Sequence, residues 1–237
     1  MRSRLALRAL ASVIGPARIT VAALGFVVLG YAYALRIAVG DGNPLDYFGY
    51  FTNQTTLLVC VVLIVSGSFR VSRRATPEWL NLLRAMATAY LVVVGVVYNT
   101  LVPGTGSAPA WVSAVLHIVV PLIVTVDWIL VADRAPLRWR RLWLIVVYPL
   151  VWVSVVLVRG ATDGWVPYGF LLPERGFASL ATHILGLLGA VLAAGALVWA
   201  ASRVNFWRAT AKALYLTPSE HARLILPLGR SSIRRNR

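Results

Sequence analysis

The sequence predicts an all-α fold, a polytopic membrane protein built as a bundle of six transmembrane helices. Of the 237 residues, 59% are hydrophobic and only 13% are charged, whereas a soluble domain is nearer half apolar and a quarter charged. Six stretches also approach the roughly 20 apolar residues that one bilayer crossing needs. The length suits one bundle rather than several domains.

The predicted spans are separated by polar connections that contain most of the charged residues. The spans are Ala17–Val39, Asp46–Ser66, Trp79–Val102, Pro109–Ala132, Leu142–Val158 and Gly176–Ala201, and the fifth is the shortest. We interpret the first as a retained helix, because no small-residue cleavage site follows it. The chain then divides into a basic N-terminus (1–15), a transmembrane domain (16–201) and a basic tail (202–237).

The formal net charge of +15 is typical of nucleic-acid-binding proteins, but its distribution favours a role in membrane topology. Blocks of arginine precede span one, separate spans two and three, separate spans four and five, and follow span six. Cytoplasmic loops carry this excess of basic residues. We therefore predict a multi-pass protein of the plasma membrane, with the lipid bilayer as its partner, both termini in the cytoplasm and no nucleic-acid partner.

Two segments outside the predicted spans contain conspicuous aromatic residues. The tail after Ser202 alternates basic and apolar residues, which fits either an interfacial helix on the inner leaflet or a disordered tail. The connection from Arg159 to Arg175 contains Trp165 and Tyr168 among glycines and prolines. Such residues favour the membrane interface and oppose a helix, so we predict a structured cap on the outer end of the bundle.

Polar residues of several spans are predicted to lie in one layer near the outer boundary. Counted from the predicted outer ends at 1.5 Å per residue, Thr52 lies about 9 Å, His117 about 12 Å and His183 about 10 Å deep. Asn99 lies within about one turn of the same boundary. Intramembrane polar residues usually face protein or water, so these side chains are expected to converge.

Two prolines and one carboxylate add structural expectations. Pro121 and Pro149 each lack the N–H group that would bind the carbonyl four residues earlier, on His117 and on Ile145. Each freed carbonyl must find another donor, and the helix is expected to kink below His117. Asp127 is expected to pair with Arg84 or Arg141 at the cytoplasmic boundary, because an unpaired intramembrane charge is costly.

The residue types of the polar layer are those of nucleophilic acyl transfer. A threonine hydroxyl is a nucleophile once a base such as histidine takes its proton, so Thr52 and His117 are the candidate catalytic residues. Asp46 or Asp163 is a candidate acid partner for the histidine. The predicted substrate-binding residues are Asn53, Gln54, Thr55, Asn99, Trp165, Tyr168 and His183. The polar side chains next to Thr52 are candidate oxyanion donors.

Known hydrolase and nucleotide motifs are missing from the sequence, and cysteine chemistry is limited. The chain has no GxSxG elbow, HExxH motif or phosphate loop. Cys60 is the single cysteine, which excludes an intramolecular disulfide and a thiolate metal cluster. We predict neither a metal nor a cofactor for the acyl-transfer chemistry.

Three motifs, in this order, resemble a bacterial family of six-span membrane proteins that is distantly related to the eukaryotic androgen-induced protein family. They are Tyr50–Thr55 (YFTNQT), Leu116–Leu122 (LHIVVPL) with Asp127-Trp128, and Gly164–Leu171 (GWVPYGFL). The eukaryotic relatives are threonine hydrolases of fatty acid esters of hydroxy fatty acids. The resemblance, over roughly residues 16 to 200, implies Thr52 as nucleophile, His117 as base and an acyl lipid as substrate. The chain departs from the bacterial pattern at Thr55-Thr56 and at Gly169.

Two hypotheses of different classes follow. The first is an intramembrane lipid-ester hydrolase that uses Thr52 and His117. The second is a non-enzymatic membrane protein that binds or transports a small molecule or acts as a scaffold. Its redox version is a b-type haem held between His117 and His183, which lie at matched predicted depth on different helices.

Overall fold

The computed structural model describes residues 2–104, 106–131 and 133–204, with side chains from residue 12 onward. Within these ranges the fold is helical, without strands. Six helices are long and apolar enough to cross a membrane: Ser12–Ala38, Phe51–Val71, Glu78–Leu101, Ala110–Leu130, Trp139–Thr162 and Phe177–Ala201. The all-α, six-span prediction is confirmed, and the chain is a multi-pass membrane protein. Most of the predicted basic tail lies outside the described residues.

The spans are built from the following elements. The first three are α1 (Arg2–Ala38), α3 (Phe51–Val71) and α4 (Glu78–Leu101), with a short α2 (Pro44–Tyr47) before α3. The fourth joins α5 (Ala110–Ala114), a π-helical turn (Val115–Val119) and α6 (Val120–Leu130). The fifth joins a 3-10 helix (Trp139–Val146) to α7 (Val147–Thr162), and the sixth is α8 (Phe177–Ala201).

The predicted bounds of two spans are wrong, for local reasons. The second span begins at Phe51 rather than Asp46, because Asn43 starts a separate turn by accepting a hydrogen bond from the Leu45 amide at 3.0 Å. Thr52 therefore lies in the first turn of α3 instead of six residues inside the span. The fifth span is not the shortest, since the 3-10 helix extends it to 24 residues.

Helix α4 forms the centre of the bundle. It also supplies hydrogen-bond donors for the two backbone carbonyls that Pro121 and Pro149 leave without an N–H partner. It packs against α3, α6 and α8. The Ile145 carbonyl, which loses its partner to Pro149, accepts a hydrogen bond from the buried Tyr90 hydroxyl at 2.9 Å. The His117 carbonyl has the Asn99 amide nitrogen 3.4 Å away. The expectation that protein groups meet both carbonyls is confirmed.

Four charged residues form a cluster at one end of the bundle, which we call the charge cluster. At this end lie the connection between spans two and three and the connection between spans four and five. Arg18 binds Asp127 at 3.0 Å and Asp133 at 2.6 Å. Arg84 binds Asp127 at 3.1 Å and Asp133 at 3.0 Å. The predicted Asp127–Arg84 pair is confirmed, whereas Arg141 pairs with Glu78 at 2.8 Å. Each carboxylate thus connects spans one and three.

The opposite end, which we call the cap end, is covered by the segment Gly164–Leu171, the cap. It folds into a 3-10 turn over Gly169–Leu171 and buries Phe170 and Leu171. These two side chains pack with Trp152 and Val156 of α7 and with residues of α8. The predicted structured cap is therefore present, and it lies next to the first turn of α3.

Candidate active site

Thr52 is held at the cap end by the way in which α3 begins. Tyr50 precedes the helix in an extended conformation and makes no side-chain capping hydrogen bond. The first N–H groups of a helix have no partner within the helix, so the amides around Thr52 are directed at groups outside α3. The residue itself is 8% exposed, which places its hydroxyl inside the protein but at the wall of a cleft.

His117 lies in the π-helical turn, and Pro121 explains that turn. Proline has no N–H to donate to the His117 carbonyl, and the widened turn instead lets the Val120 amide bind the Val115 carbonyl five residues back. Wide turns of this kind are frequent at functional sites. They are also a common cause of helix kinks.

The hydrogen bonds of the imidazole fix its proton on the nitrogen that a general base requires. Nδ1 of His117 lies 2.8 Å from the Ser113 carbonyl oxygen. A carbonyl only accepts hydrogen bonds, so Nδ1 must carry the proton, and Nε2 of the neutral ring is a free acceptor. Nε2 faces the Thr52 hydroxyl with an Nε2–Oγ1 distance of 3.4 Å. Catalytic hydrogen bonds are often long before substrate binds.

Helix α4 supports the histidine from behind. The Tyr98 ring stacks on the imidazole with a centroid distance of 3.5 Å and an angle of 11°. The Asn99 amide nitrogen donates to the Gly95 carbonyl at 2.7 Å and also lies near the His117 carbonyl oxygen. A side chain at Gly95 would place its Cβ 3.2 Å from the His117 carbonyl oxygen, so glycine allows this close approach.

The predicted acid partners of His117 are elsewhere. Asp46 binds Arg159 at 2.7 Å, and Asp163 binds the same guanidinium at 2.8 Å. The prediction that one of them reaches the histidine is wrong, because the arginine holds both carboxylates at the surface of the cap end. A backbone carbonyl, that of Ser113, takes the orienting position that a carboxylate has in many triads.

The polar side chains that follow Thr52 are engaged within the bundle. The Asn53 amide donates to the Tyr47 carbonyl at 2.7 Å. The Gln54 side-chain oxygen accepts from the Tyr148 hydroxyl at 2.6 Å. The hydroxyl of the fully buried Thr55 donates to the Phe51 carbonyl at 2.8 Å. Gln54 and Thr55 line neither of the two cavities described below, whereas Asn53 lines one of them.

Two cavities meet at Thr52. The first, the polar cleft, has a volume of about 540 Å³ and is lined by His117, His183, Arg36 and Arg175 among others. The residues that line it include no carboxylate within the described part of the chain. The second, the apolar cavity, holds about 70 Å³ between α4, α7 and α8. Thr52 and Tyr168 line both, so a molecule at Thr52 can reach a polar and an apolar compartment.

Of the remaining predicted substrate-binding residues, some line a cavity and others do not. The Nδ1 atom of His183 lies 2.7 Å from the Ser179 carbonyl oxygen, so its Nε2 is a free acceptor at the polar cleft. Trp165 packs edge-on against Tyr50 at 5.8 Å without lining either cavity. Asn99 does not line a cavity either, and it acts on the His117 backbone instead.

Sequence reasoning did not assign roles to Tyr98 or to the Ser113 carbonyl, although a signal for the second was available. Ser113 precedes His117 by four residues, as Ser179 precedes His183, and this spacing puts the i−4 carbonyl beside a helical side chain. No comparable local signal predicts the Tyr98 ring stack, which depends on the packing of α4 against the π-helical turn.

The arrangement favours acid–base chemistry over metal or haem ligation. Nε2 of His117 faces a hydroxyl, and Tyr98 covers one face of the ring. In the described ranges, no group of three or more His, Cys, Asp or Glu side chains is placed to hold a metal ion.

Comparison of the chain with protein-family models, with curated proteins and with solved structures gave no match.

Proposed function

We propose that the protein is an intramembrane hydrolase of fatty acyl esters, with Thr52 as nucleophile and His117 as general base. The proposal depends on two successive contacts of the His117 ring. Nε2 lies 3.4 Å from Thr52 Oγ1, and Nδ1 lies 2.8 Å from the Ser113 carbonyl oxygen. A nucleophile beside a base that a third group orients is the general pattern of covalent acyl transfer.

The reaction proceeds in two balanced steps. Thr52 Oγ1 attacks the ester carbonyl carbon, its proton passes to His117 Nε2, and the carbonyl electron pair moves onto oxygen. The tetrahedral intermediate collapses as the bond to the alcohol oxygen breaks, and that oxygen takes the proton from Nε2. Water then repeats the sequence on the acyl-Thr52 ester, releasing the fatty acid and restoring the threonine. No cofactor takes part in either step.

The two cavities fit an amphiphilic substrate. The apolar cavity is lined by aliphatic side chains such as Val93, Ile184 and Leu187, and an acyl chain there gains roughly 0.8 kcal/mol per buried CH₂. The polar part of the ester then lies in the polar cleft. Thr52, at the junction, meets the carbonyl between them.

Membrane placement follows from the distribution of arginine. The connections at the charge-cluster end contain Arg70, Arg73 and Arg74 in one and four arginines from Arg134 to Arg141 in the other. By the positive-inside rule that end is cytoplasmic. The protein then lies in the plasma membrane with both termini inside, and its cap end receives lipid from the outer leaflet.

The proposal is tested by ester hydrolysis in detergent micelles, with p-nitrophenyl butyrate and decanoate as probes. We expect Thr52→Val and His117→Gln each to lower kcat by at least about 10³-fold, as losses of nucleophile and base do elsewhere. Thr56→Val is the matched control, because Thr56 lies one turn further along α3 and its buried hydroxyl has no hydrogen-bond partner in the described structure. Equal activity of Thr52→Val and Thr56→Val would refute the nucleophile assignment.

A further inference from the structure

The hydroxyl of Tyr168 occupies a distinctive position in front of the first turn of α3. Burial raises the pKa of this hydroxyl to about 12, although hydrogen bonding with the Thr52 hydroxyl and with the backbone amides of Thr52 and Phe51 acts to lower it. The phenol oxygen therefore lies close to these three groups. The phenol therefore keeps its proton at neutral pH and is a hydrogen-bond donor.

Aromatic neighbours fix the direction of this hydroxyl. The Tyr168 ring stacks on Phe170 with a centroid distance of 5.3 Å and an angle of 4°. It also contacts Tyr50 edge-on at 5.7 Å and Trp152 at 5.9 Å. A ring packed on several sides has little rotameric freedom, so its hydroxyl is preorganised at the junction of the two cavities.

The other candidate oxyanion donors are less well placed. The Asn53 amide donates to a backbone carbonyl, and so does the Thr55 hydroxyl. Gln54 lines neither cavity. The amides of Thr52 and Phe51 lie close enough to the phenol oxygen to lower the pKa of Tyr168.

We propose that Tyr168 is a further catalytic residue, whose hydroxyl donates to the oxyanion of the tetrahedral intermediate formed on Thr52. The inference rests on the proposed hydrolase function. When Oγ1 attacks, the carbonyl oxygen gains the electron pair, and the Tyr168 O–H donates a hydrogen bond to that oxygen. The proton stays on the phenol, since the interaction is a hydrogen bond and not a proton transfer. The phenol lies beside the N-terminal amides of α3, and the positive end of the helix dipole favours negative charge there.

The test compares Tyr168→Phe with wild type in p-nitrophenyl decanoate hydrolysis. The substitution keeps the ring and its stacking and removes only the hydroxyl. We expect kcat to fall about 10²- to 10³-fold, as for loss of one oxyanion donor, with KM nearly unchanged. Tyr33→Phe is the control, because it removes a cap-end tyrosine hydroxyl that donates to the Gly42 carbonyl at 2.8 Å and lines neither cavity.

Inhibitor binding separates catalysis from structure. A decyl trifluoromethyl ketone forms a tetrahedral oxyanion on the threonine, whereas the matching methyl ketone binds without doing so. Tyr168→Phe should weaken the first by the same factor as kcat and leave the second unchanged. If Tyr168→Phe unfolds, 3-fluorotyrosine at position 168 replaces it. Fluorination lowers the pKa of the phenol, so the fall of kcat at high pH must then occur at a lower pH than in wild type.

The outcomes distinguish this inference from the proposed function. A kcat of Tyr168→Phe close to wild type, together with an inactive Thr52→Val, overturns the role of Tyr168 and leaves the hydrolase intact. Equal loss of affinity for both ketones also overturns it, since the residue then only shapes the cavity. Activity that survives in Thr52→Val overturns the hydrolase and this inference with it.

Discussion

Loss of one arginine from the charge cluster should strongly destabilise the bundle. In Arg84→Gln, Asp127 and Asp133 lose the contacts of 3.1 and 3.0 Å that Arg84 makes. Arg18 then remains for both carboxylates, and Arg70 lies 3.5 Å from Asp133. The side chains of Asp127 and Asp133 are only 16% and 10% exposed, so water replaces the missing partner poorly. Removing one member of a buried ion pair costs about 3–5 kcal/mol, and we expect that loss in the free energy of unfolding.

An exposed pair at the same end of the bundle is the control. Arg141 binds Glu78 at 2.8 Å, but the two side chains are 37% and 56% exposed, and such pairs contribute about 0–1 kcal/mol. The measurement is SDS-titrated unfolding in mixed micelles, followed by tryptophan fluorescence. If Arg84→Gln were no more than about 1 kcal/mol less stable than Arg141→Gln, the reasoning on this cluster would be refuted.

The same cluster predicts how stability depends on pH. Burial alone would raise the pKa of Asp133, but Arg84 and Arg18 outweigh it and lower that pKa to about 2. The unfolded value is about 3.9. Because the folded pKa is the lower one, the carboxylate contributes stability above about pH 4 and loses it as the pH falls toward 2. Asp133→Asn should flatten the decline of the unfolding free energy across this window, and an unchanged slope would contradict it.

Two further substitutions test local features of the fold. Pro121→Ala supplies the missing N–H for the His117 carbonyl, which should regularise the π-helical turn and displace the imidazole. We expect kcat to fall about 10²-fold without loss of stability in SDS titration. An unchanged kcat would contradict this. Gly49→Ala would collide with the Trp165 indole and should cost about 1–3 kcal/mol of unfolding free energy. Gly169→Ala, whose Cβ would have its nearest neighbour at 3.9 Å, should cost far less, and equal costs would refute the packing argument.

The sequence predicted the span number and the meeting of Thr52 with His117 because both depend on strong, local signals. Apolar length determines which segments cross the membrane, and alternating arginine blocks indicate which ends lie together. Once those ends are assigned, polar side chains near the same end of different helices are expected to converge in the interior of the bundle. The depth of Thr52 nevertheless rested on a helix start at Asp46, which the Asn43 turn displaces to Phe51.

The parts that could not be predicted depend on contacts between distant segments. Arg159 holds both Asp46 and Asp163, and nothing in the sequence distinguishes that pairing from a carboxylate that reaches His117. The position of the Tyr168 hydroxyl depends on how the cap folds onto α3. The proline at position 121 predicted a freed carbonyl, but only packing identifies Asn99 of α4 as the group beside it.

The most direct test of the central claim is covalent labelling with a long-chain alkyl fluorophosphonate, followed by mass spectrometry of the labelled peptide. We expect an adduct on the Thr52 hydroxyl in wild type and in Thr56→Val, and none in Thr52→Val or His117→Gln when all four proteins are folded. An adduct on a different residue, or equal labelling of Thr52→Val and wild type, would contradict a threonine nucleophile activated by His117.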